Sequence, residues 1–97
     1  MAKGYWIACV RAVHDEDAVA EYARLARPVL ESFGGRYLVR GMPTRVFEGG
    51  VAQRTVIIEF DSPEQAIAAY ESPGYQAALE VLGDGIERDL RIVAGVS

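Results

Sequence analysis

The chain has 97 residues and a formal net charge of −4, from 10 basic and 14 acidic side chains. This length predicts a single domain over residues 1–97 and excludes a two-domain enzyme with a separate cofactor module. With 51% hydrophobic residues and an acidic balance, the chain is typical of a folded domain whose partners are neither nucleic acids nor membranes.

A strand and a long helix are predicted first. Residues 5–13 are rich in β-branched and aromatic side chains, which predicts a strand. Carboxylates at 15–17 favour a helix start because they oppose the positive end of the helix dipole. Apolar residues then recur at spacings of three and four. A helix over residues 15–33 is therefore expected, with a kink where Pro28 removes an amide donor.

Two strands follow, and glycines between them indicate a turn. Residues 36–40 predict the second strand, and a Gly-Met-Pro sequence at 41–43 predicts a bulge, with residues 44–48 as a continuation of the strand. Residues 53–60 carry the strongest strand pattern of the chain. These strands are expected to be neighbours in a hairpin.

The remaining third predicts two short helices and a last strand. Residues 62–65 combine an N-cap serine, a proline at the first helical position and a glutamine three residues after the cap. A second Ser-Pro start at Ser72 indicates that this helix breaks and restarts, ending at Gly83. Residues 90–94 predict the last strand. The order of elements predicts an α+β, ferredoxin-like fold: a four-stranded antiparallel sheet with helices on one face.

Strand parity assigns the two faces of this sheet. The helix-facing set is apolar and comprises Trp6, Ala8, Val10, Tyr37, Val39, Val56, Ile58 and Phe60. The open set mixes apolar and charged side chains and comprises Tyr5, Ile7, Cys9, Arg11, Arg36, Leu38, Arg40, Thr55, Ile57, Glu59, Arg91 and Val93. A face this apolar is expected to be buried against a second subunit, so we predict a homodimer formed through the open sheet face.

Five segments that cover nearly the whole chain resemble one known family in their order and spacing. They are GYWIA at 4–8, GGRYLVRG at 34–41, IIEF at 57–60, YESPGY at 70–75 and IVAG at 92–95. On these residues the chain resembles the domain-of-unknown-function family 1330. The resemblance implies a ferredoxin-like subunit that pairs sheet to sheet into a dimeric α/β barrel. That superfamily also contains cofactor-free monooxygenases, isomerases and haem enzymes.

The first candidate site is a pair of residues, Arg40 and Glu59, which share one parity on neighbouring strands. If they meet across the sheet, Glu59 can act as a base while Arg40 holds a substrate carboxylate. The alternative is an ion pair without catalytic duty beside the dimer contact. His14, the only imidazole, is the second candidate base. Its alternative is an exposed residue beside a helix cap.

Tyr22 and Tyr75 are candidate ligand-binding residues. With Trp6 and Tyr70 they suit either an aromatic cleft between sheet and helices or an ordinary core. Tyr75 is the best candidate for a role beyond packing, because a buried phenol needs a polar partner.

No pattern in the sequence indicates a cofactor or a metal. One cysteine, Cys9, and one histidine cannot form a disulfide, a thiolate cluster or a His-rich site within one subunit. The paired glycines lack the Rossmann and P-loop spacings. The apolar stretch near the N-terminus is too short for a signal peptide or a membrane span, so we expect a cytoplasmic protein.

Together these observations predict an uncharacterised protein that binds a small carboxylated or aromatic molecule as a homodimer. One alternative is a cofactor-independent monooxygenase or isomerase-like enzyme with Glu59 or His14 as base. That alternative rests on analogy between folds. A second alternative is a dimeric structural domain without a small-molecule site, which a cleft filled by Trp6, Tyr22 and Tyr70 would favour.

Overall fold

The computed structural model describes residues 2–96; Met1 and Ser97, the two ends of the predicted domain, lie outside the described residues. The elements are β1 (Gly4–Val13), α1 (Glu16–Ser32), β2 (Arg36–Gly41), β3 (Thr55–Phe60), α2 (Pro63–Glu71), α3 (Pro73–Leu82) and β4 (Ile86–Ala94). The four strands form one antiparallel sheet in the order β2-β3-β1-β4. This arrangement confirms the predicted ferredoxin-like α+β fold.

Side-chain caps fix where the helices begin. The carboxylate of Asp15 accepts a hydrogen bond from a first-turn amide of α1 at 3.1 Å, and the hydroxyl of Ser62 does the same for α2 at 3.1 Å. Ser72 closes α2 and opens α3, since its hydroxyl donates to the Ala69 carbonyl at 2.7 Å and accepts from the Tyr75 amide at 3.3 Å. Each cap satisfies an amide that the first turn leaves without a helical partner. The predicted helix starts are confirmed.

The first helix runs through Pro28 without a break and ends at Ser32, so the kink stays a prediction. The predicted stop is confirmed, because Gly34 has a φ of 83°, a left-handed conformation that glycine adopts without a steric penalty. Within residues 2–96, no helix has the length and apolar content that a membrane crossing requires.

The helix-facing side of the sheet carries the core, as strand parity predicts. Trp6 on the central strand pairs with Ile58 on one side and Ile92 on the other, and its side chain is 1% exposed. The largest fully buried side chains are Trp6, Tyr75, Phe60, Leu30 and Ile58. Above this core, α1 packs chiefly against α3, whereas α2 lies nearest the sheet. The sheet beneath α1 is therefore less closely covered than the sheet beneath α2.

The second strand departs from the predicted parity at Leu38. Tyr37 and Val39 pair with consecutive residues of β3, so Leu38 is an extra residue without a partner, a β-bulge. A one-residue insertion turns every later side chain to the other face. Val39 therefore lies on the open face, and Arg40, opposite Val56, lies on the helix-facing side. The predictions for both residues are wrong.

The connection between β2 and β3 is a loop. Residues 44–48, predicted to continue the strand, lie outside it, and β3 begins at Thr55 rather than at residue 53. The bulge predicted at 41–43 is also wrong, since the extra residue lies earlier in the strand. The loop exposes large apolar side chains, with Phe47 71% exposed. At the other end of the chain, β4 begins at Ile86, four residues earlier than predicted.

Candidate ligand-binding cleft

A cavity of about 80 Å³ lies between α1 and the helix-facing side of the sheet. Its apolar lining comprises Trp6, Ala8, Val10, Val19, Ala23, Ala26, Leu30, Val56, Ile58 and Ile86. An engineered apolar cavity of about 150 Å³ accommodates benzene. The present cavity is about half that size, so it suits a short aliphatic ligand better than an enclosed aromatic ring.

Four arginines also line the cavity: Arg27, Arg40, Arg54 and Arg88. No carboxylate or imidazole of the described residues lines it. Arg27 is partly engaged, because its Nε donates to Glu31 at 3.3 Å and its guanidinium lies 5.2 Å from the centre of the Tyr37 ring. The other three arginines form no ion pair within residues 2–96. In a chain of net charge −4, this cavity is a local concentration of positive charge.

Two tyrosines hold Arg88 inside the cavity. Its Nη1 donates to the hydroxyl of Tyr22 at 3.1 Å, and its Nη2 donates to the hydroxyl of Tyr75 at 2.8 Å. The two hydroxyl oxygens lie 2.5 Å apart. The Arg88 guanidinium also lies 5.1 Å from the centre of the Tyr22 ring, within the range of a cation–π interaction. Burial raises the pKa of Tyr75, so this hydroxyl stays protonated at neutral pH.

The cavity opens into a wider groove along α1. Arg27, Arg40 and Arg54 line both the cavity and the groove, whereas Arg88 lines only the cavity. The groove also has a further arginine, Arg24, and two carboxylates, Glu16 and Glu31. The three shared arginines form the mouth of the cavity, and Arg88 lies in its interior.

The aromatic cluster fills the core beneath α2 and α3 but leaves the cavity beneath α1. The Trp6 ring lies 5.6 Å from the Tyr70 ring and 5.1 Å from the Tyr75 ring, centre to centre, with the Tyr75 contact edge-on. Tyr70 packs against the core and does not line the cavity, whereas Tyr22 does. Trp6, Tyr22 and Tyr70 therefore do not fill the cleft, which is the arrangement that would favour a purely structural domain.

Glu59 does not meet Arg40, and the prediction that they pair is wrong. The Glu59 carboxylate accepts hydrogen bonds from the Tyr5 hydroxyl at 2.9 Å and from the Arg36 Nε at 3.0 Å. These bonds, with the larger effect from Tyr5, hold the pKa of Glu59 below its ordinary value. The strand register sets Arg36 opposite Glu59, and the bulge at Leu38 turns Arg40 to the other side of the sheet.

His14 lies outside the cleft, at the predicted junction between β1 and α1. Its Nε2 is 2.9 Å from a carboxylate oxygen of Glu87, and both side chains are more than half exposed. A ligand in the cavity does not reach this imidazole. Its role as a base stays a hypothesis.

Sequence reasoning found Tyr22 and Tyr75, which the structure brings together, but missed three of the cavity arginines, Arg27, Arg54 and Arg88. Arg54 and Arg88 share the parity of the apolar strand residues that face the helices. The predicted last strand began at residue 90, two residues too late to include Arg88. The alternation of this last strand, continued toward the N-terminus by two residues, would have placed Arg88 on the helix-facing side of the sheet.

The fold and the cleft define a ferredoxin-like α+β protein with a small basic cavity between its first helix and its sheet. A family model described as "Domain of unknown function (DUF1330)" matches residues 3–96. The chain belongs to this family, which confirms the resemblance found in the sequence. No curated protein matches the chain.

Three solved structures illustrate the fold. A protein of unknown function from Rhodopseudomonas palustris is 18% identical with a TM-score of 0.80, over 99% of this chain and 84% of that one. A Caulobacter crescentus protein named as a candidate antibiotic biosynthesis monooxygenase is 15% identical with a TM-score of 0.63, over 99% and 92%. A dimeric ferredoxin-like protein of unknown function from Thermobifida fusca is 17% identical with a TM-score of 0.57, over 96% and 91%. At these identities the likeness shows the fold alone.

Proposed function

We propose that this protein is a homodimer whose cleft between α1 and the sheet binds a small carboxylate. The observation that carries the proposal is the set of four arginines around one cavity in an acidic chain. A guanidinium presents its N–H donors in a planar fork that fits a carboxylate, and such charge-assisted hydrogen bonds are stronger than neutral ones. The apolar lining would contact the hydrocarbon part of the ligand.

The predicted ligand-binding residues take different parts in this proposal. Arg40 lies at the mouth, where it would bind the carboxylate together with Arg54. Tyr22 lines the interior, and Tyr75 acts behind it by fixing Tyr22 and Arg88. Glu59, the fourth predicted residue, lies on the open face of the sheet and does not line the cleft.

Butanoate is a suitable probe because it combines a carboxylate with a short aliphatic chain. With six heavy atoms, its dissociation constant is expected to be roughly millimolar. Titrations followed by amide NMR shifts should show saturable binding of butanoate and none of 1-butanol. Arg40→Met and Arg54→Met should each weaken binding about tenfold, the value of one charge-assisted hydrogen bond. Arg45→Met, on the exposed loop, is the matched control and should bind as the wild type does.

Three results would contradict the proposal. Equal binding of 1-butanol would mean that the arginines do not recognise the charge. Wild-type affinity in both cleft variants would mean that butanoate binds elsewhere. If neither compound binds, the structural-domain alternative is favoured.

The homodimer part of the proposal is supported by the open face of the sheet. The bulge places Val39 on this face in place of Arg40, next to Ile57 on the neighbouring strand. Val93 on β4 has the same orientation and is 45% exposed. Exposed apolar side chains on an unpartnered sheet face, here interspersed with charged ones, support a subunit interface. The dimeric state of the Thermobifida fusca structure supports the same assembly.

The enzymatic alternative is supported by the likeness to candidate monooxygenases. It requires a base that reaches the ligand. Glu59 and His14 both lie outside the lining of the cavity, and the Glu59 carboxylate already accepts two hydrogen bonds. A ligand-binding protein is therefore the favoured function, and an enzyme is the alternative.

A further inference from the structure

Arg88, Tyr22 and Tyr75 form a hydrogen-bonded cluster, which determines which tyrosine hydroxyl has a proton available for a ligand. Arg88 donates to the hydroxyl oxygens of Tyr22 and Tyr75, and a guanidinium accepts nothing in return. The two hydroxyls are also hydrogen-bonded to each other, so one of them donates and the other accepts. Which one donates depends on where the remaining proton can go.

The Tyr75 hydroxyl has a single acceptor. Its side chain is 0% exposed and does not line the cavity. Among residues 2–96, its oxygen is hydrogen-bonded only to Tyr22 and Arg88. If Tyr22 were the donor, the Tyr75 proton would be buried without an acceptor, an arrangement that folded proteins avoid. Tyr75 therefore donates to Tyr22.

Tyr22 then accepts two hydrogen bonds and keeps its own proton for another partner. One of the two bonds comes from a cation, and the other comes from the Tyr75 hydroxyl. Donors on an oxygen polarise its O–H group and strengthen it as a donor. Among residues 2–96 the Tyr22 hydroxyl is hydrogen-bonded only to Tyr75 and Arg88, and Tyr22 lines the cavity, so a molecule in the cavity is a suitable acceptor for its proton.

We propose that the Tyr22 hydroxyl donates to a carbonyl oxygen of the ligand, and that the cleft prefers short 2-oxo carboxylates. This inference rests on the proposed carboxylate site. The carboxylate lies with Arg40 and Arg54 at the mouth, and the adjacent carbonyl accepts from Tyr22 in the interior. In a cavity of about 80 Å³, a 2-oxo acid is a compact ligand that offers both groups, because its carbonyl is adjacent to its carboxylate. A plain carboxylate leaves the Tyr22 donor without a ligand acceptor, which is how a site discriminates between such molecules.

Comparing 2-oxobutanoate with butanoate, by the same NMR titration, tests the inference. The wild type should bind 2-oxobutanoate about threefold to tenfold more tightly, the effect of one net hydrogen bond. Tyr22→Phe should bring this ratio close to one. The ratio, rather than either affinity alone, is the readout, because the variant also removes a hydrogen-bond acceptor from Arg88. Tyr70→Phe removes a hydroxyl outside the cavity and should keep the wild-type ratio.

The outcomes separate the inference from the function on which it rests. A wild type that binds both acids equally overturns the 2-oxo preference and leaves the carboxylate site intact, whereas a wild type that binds neither overturns the carboxylate site. If Tyr22→Phe weakens both acids to the same extent, Tyr22 contacts the carboxylate and the inference is wrong. Should that variant not fold, the ¹³C resonance of the carbonyl of bound 2-oxobutanoate decides: a downfield shift supports the donor, and an unchanged shift overturns it.

Discussion

Arg36 lies directly opposite Glu59 on neighbouring strands and donates its Nε to the Glu59 carboxylate at 3.0 Å, while Arg40 faces the other side of the sheet. One extra residue, Leu38, separates the two orientations. Bulges commonly redirect a side chain toward a site. Here the bulge supplies the cavity with an arginine and gives the open face a valine instead.

This register predicts how two arginine variants affect the pKa of Glu59. Arg36→Ala removes a hydrogen bond and a nearby cation, so the pKa should rise toward its ordinary value. Arg40→Ala should leave it unchanged. A ¹³C NMR titration of the side-chain carboxyl of Glu59 measures both. An equal rise in the Arg40 variant would show that the two residues are paired after all.

The fold was predictable because its local signals are strong and agree with one another. Caps at Asp15, Ser62 and Ser72 and the alternation of apolar residues in the central strands required no knowledge of tertiary contacts. The bulge was not predictable, because Leu38 lies in a continuous apolar run without a glycine to mark it. Its existence depends on how β2 pairs with β3, which is a non-local property.

The candidate site was predictable only in part, for a related reason. Tyr22 follows from helix periodicity, and Tyr75 follows from the polar partner that a buried phenol needs. Arg88 lies in a charged stretch that resembles a loop, and it becomes part of a strand because β1 pairs with it there. Arg88, the hydrogen-bond partner of the two tyrosines, was therefore missed, because tertiary pairing determines where this strand begins.

Tyr75→Phe should destabilise the fold at neutral pH and reduce its sensitivity to alkali. At neutral pH the loss is expected to be about 1–3 kcal/mol, because Arg88 loses one hydrogen-bond acceptor in a partly buried position. Burial raises the folded-state pKa of Tyr75 above the unfolded value of about 10, so its contribution is fully present below that pH and is lost above it.

Urea unfolding of the wild type and Tyr75→Phe at pH 7 and pH 10.5 measures this effect. The wild type should lose more of its free energy of unfolding between these pH values than the variant does. If the free energy of unfolding falls by the same amount in both proteins, Tyr75 is not a buried phenol whose ionisation destabilises the fold.

Ser72→Ala should lower the free energy of unfolding by about 1–2 kcal/mol, because one hydroxyl caps the end of α2 and the start of α3. Ser32→Ala is the comparison, since that exposed hydroxyl bonds only to a carbonyl at the end of α1. Its effect should stay within about 0.5 kcal/mol. Thermal or urea unfolding measures both, and equal losses would contradict the dual-cap role.

Val93→Asp should convert the proposed homodimer to a monomer, because it places a charge on the open sheet face. Val81→Asp is a closely matched control on α3, where the valine is 42% exposed compared with 45% for Val93. Sedimentation equilibrium of the wild type should give twice the 10.6 kDa chain mass. A monomeric wild type, or a Val93→Asp dimer as stable as the control, would exclude this face as the interface.

The most direct test of the basic cleft is an NMR titration of the arginine Nε–Hε resonances with butanoate. The resonances of Arg40, Arg54 and Arg88 should shift together and saturate with one dissociation constant, while those of Arg11 and Arg45, outside the cavity, stay in place. If the cleft resonances do not move, or if those of Arg11 and Arg45 follow the same curve, the cleft is not a carboxylate site.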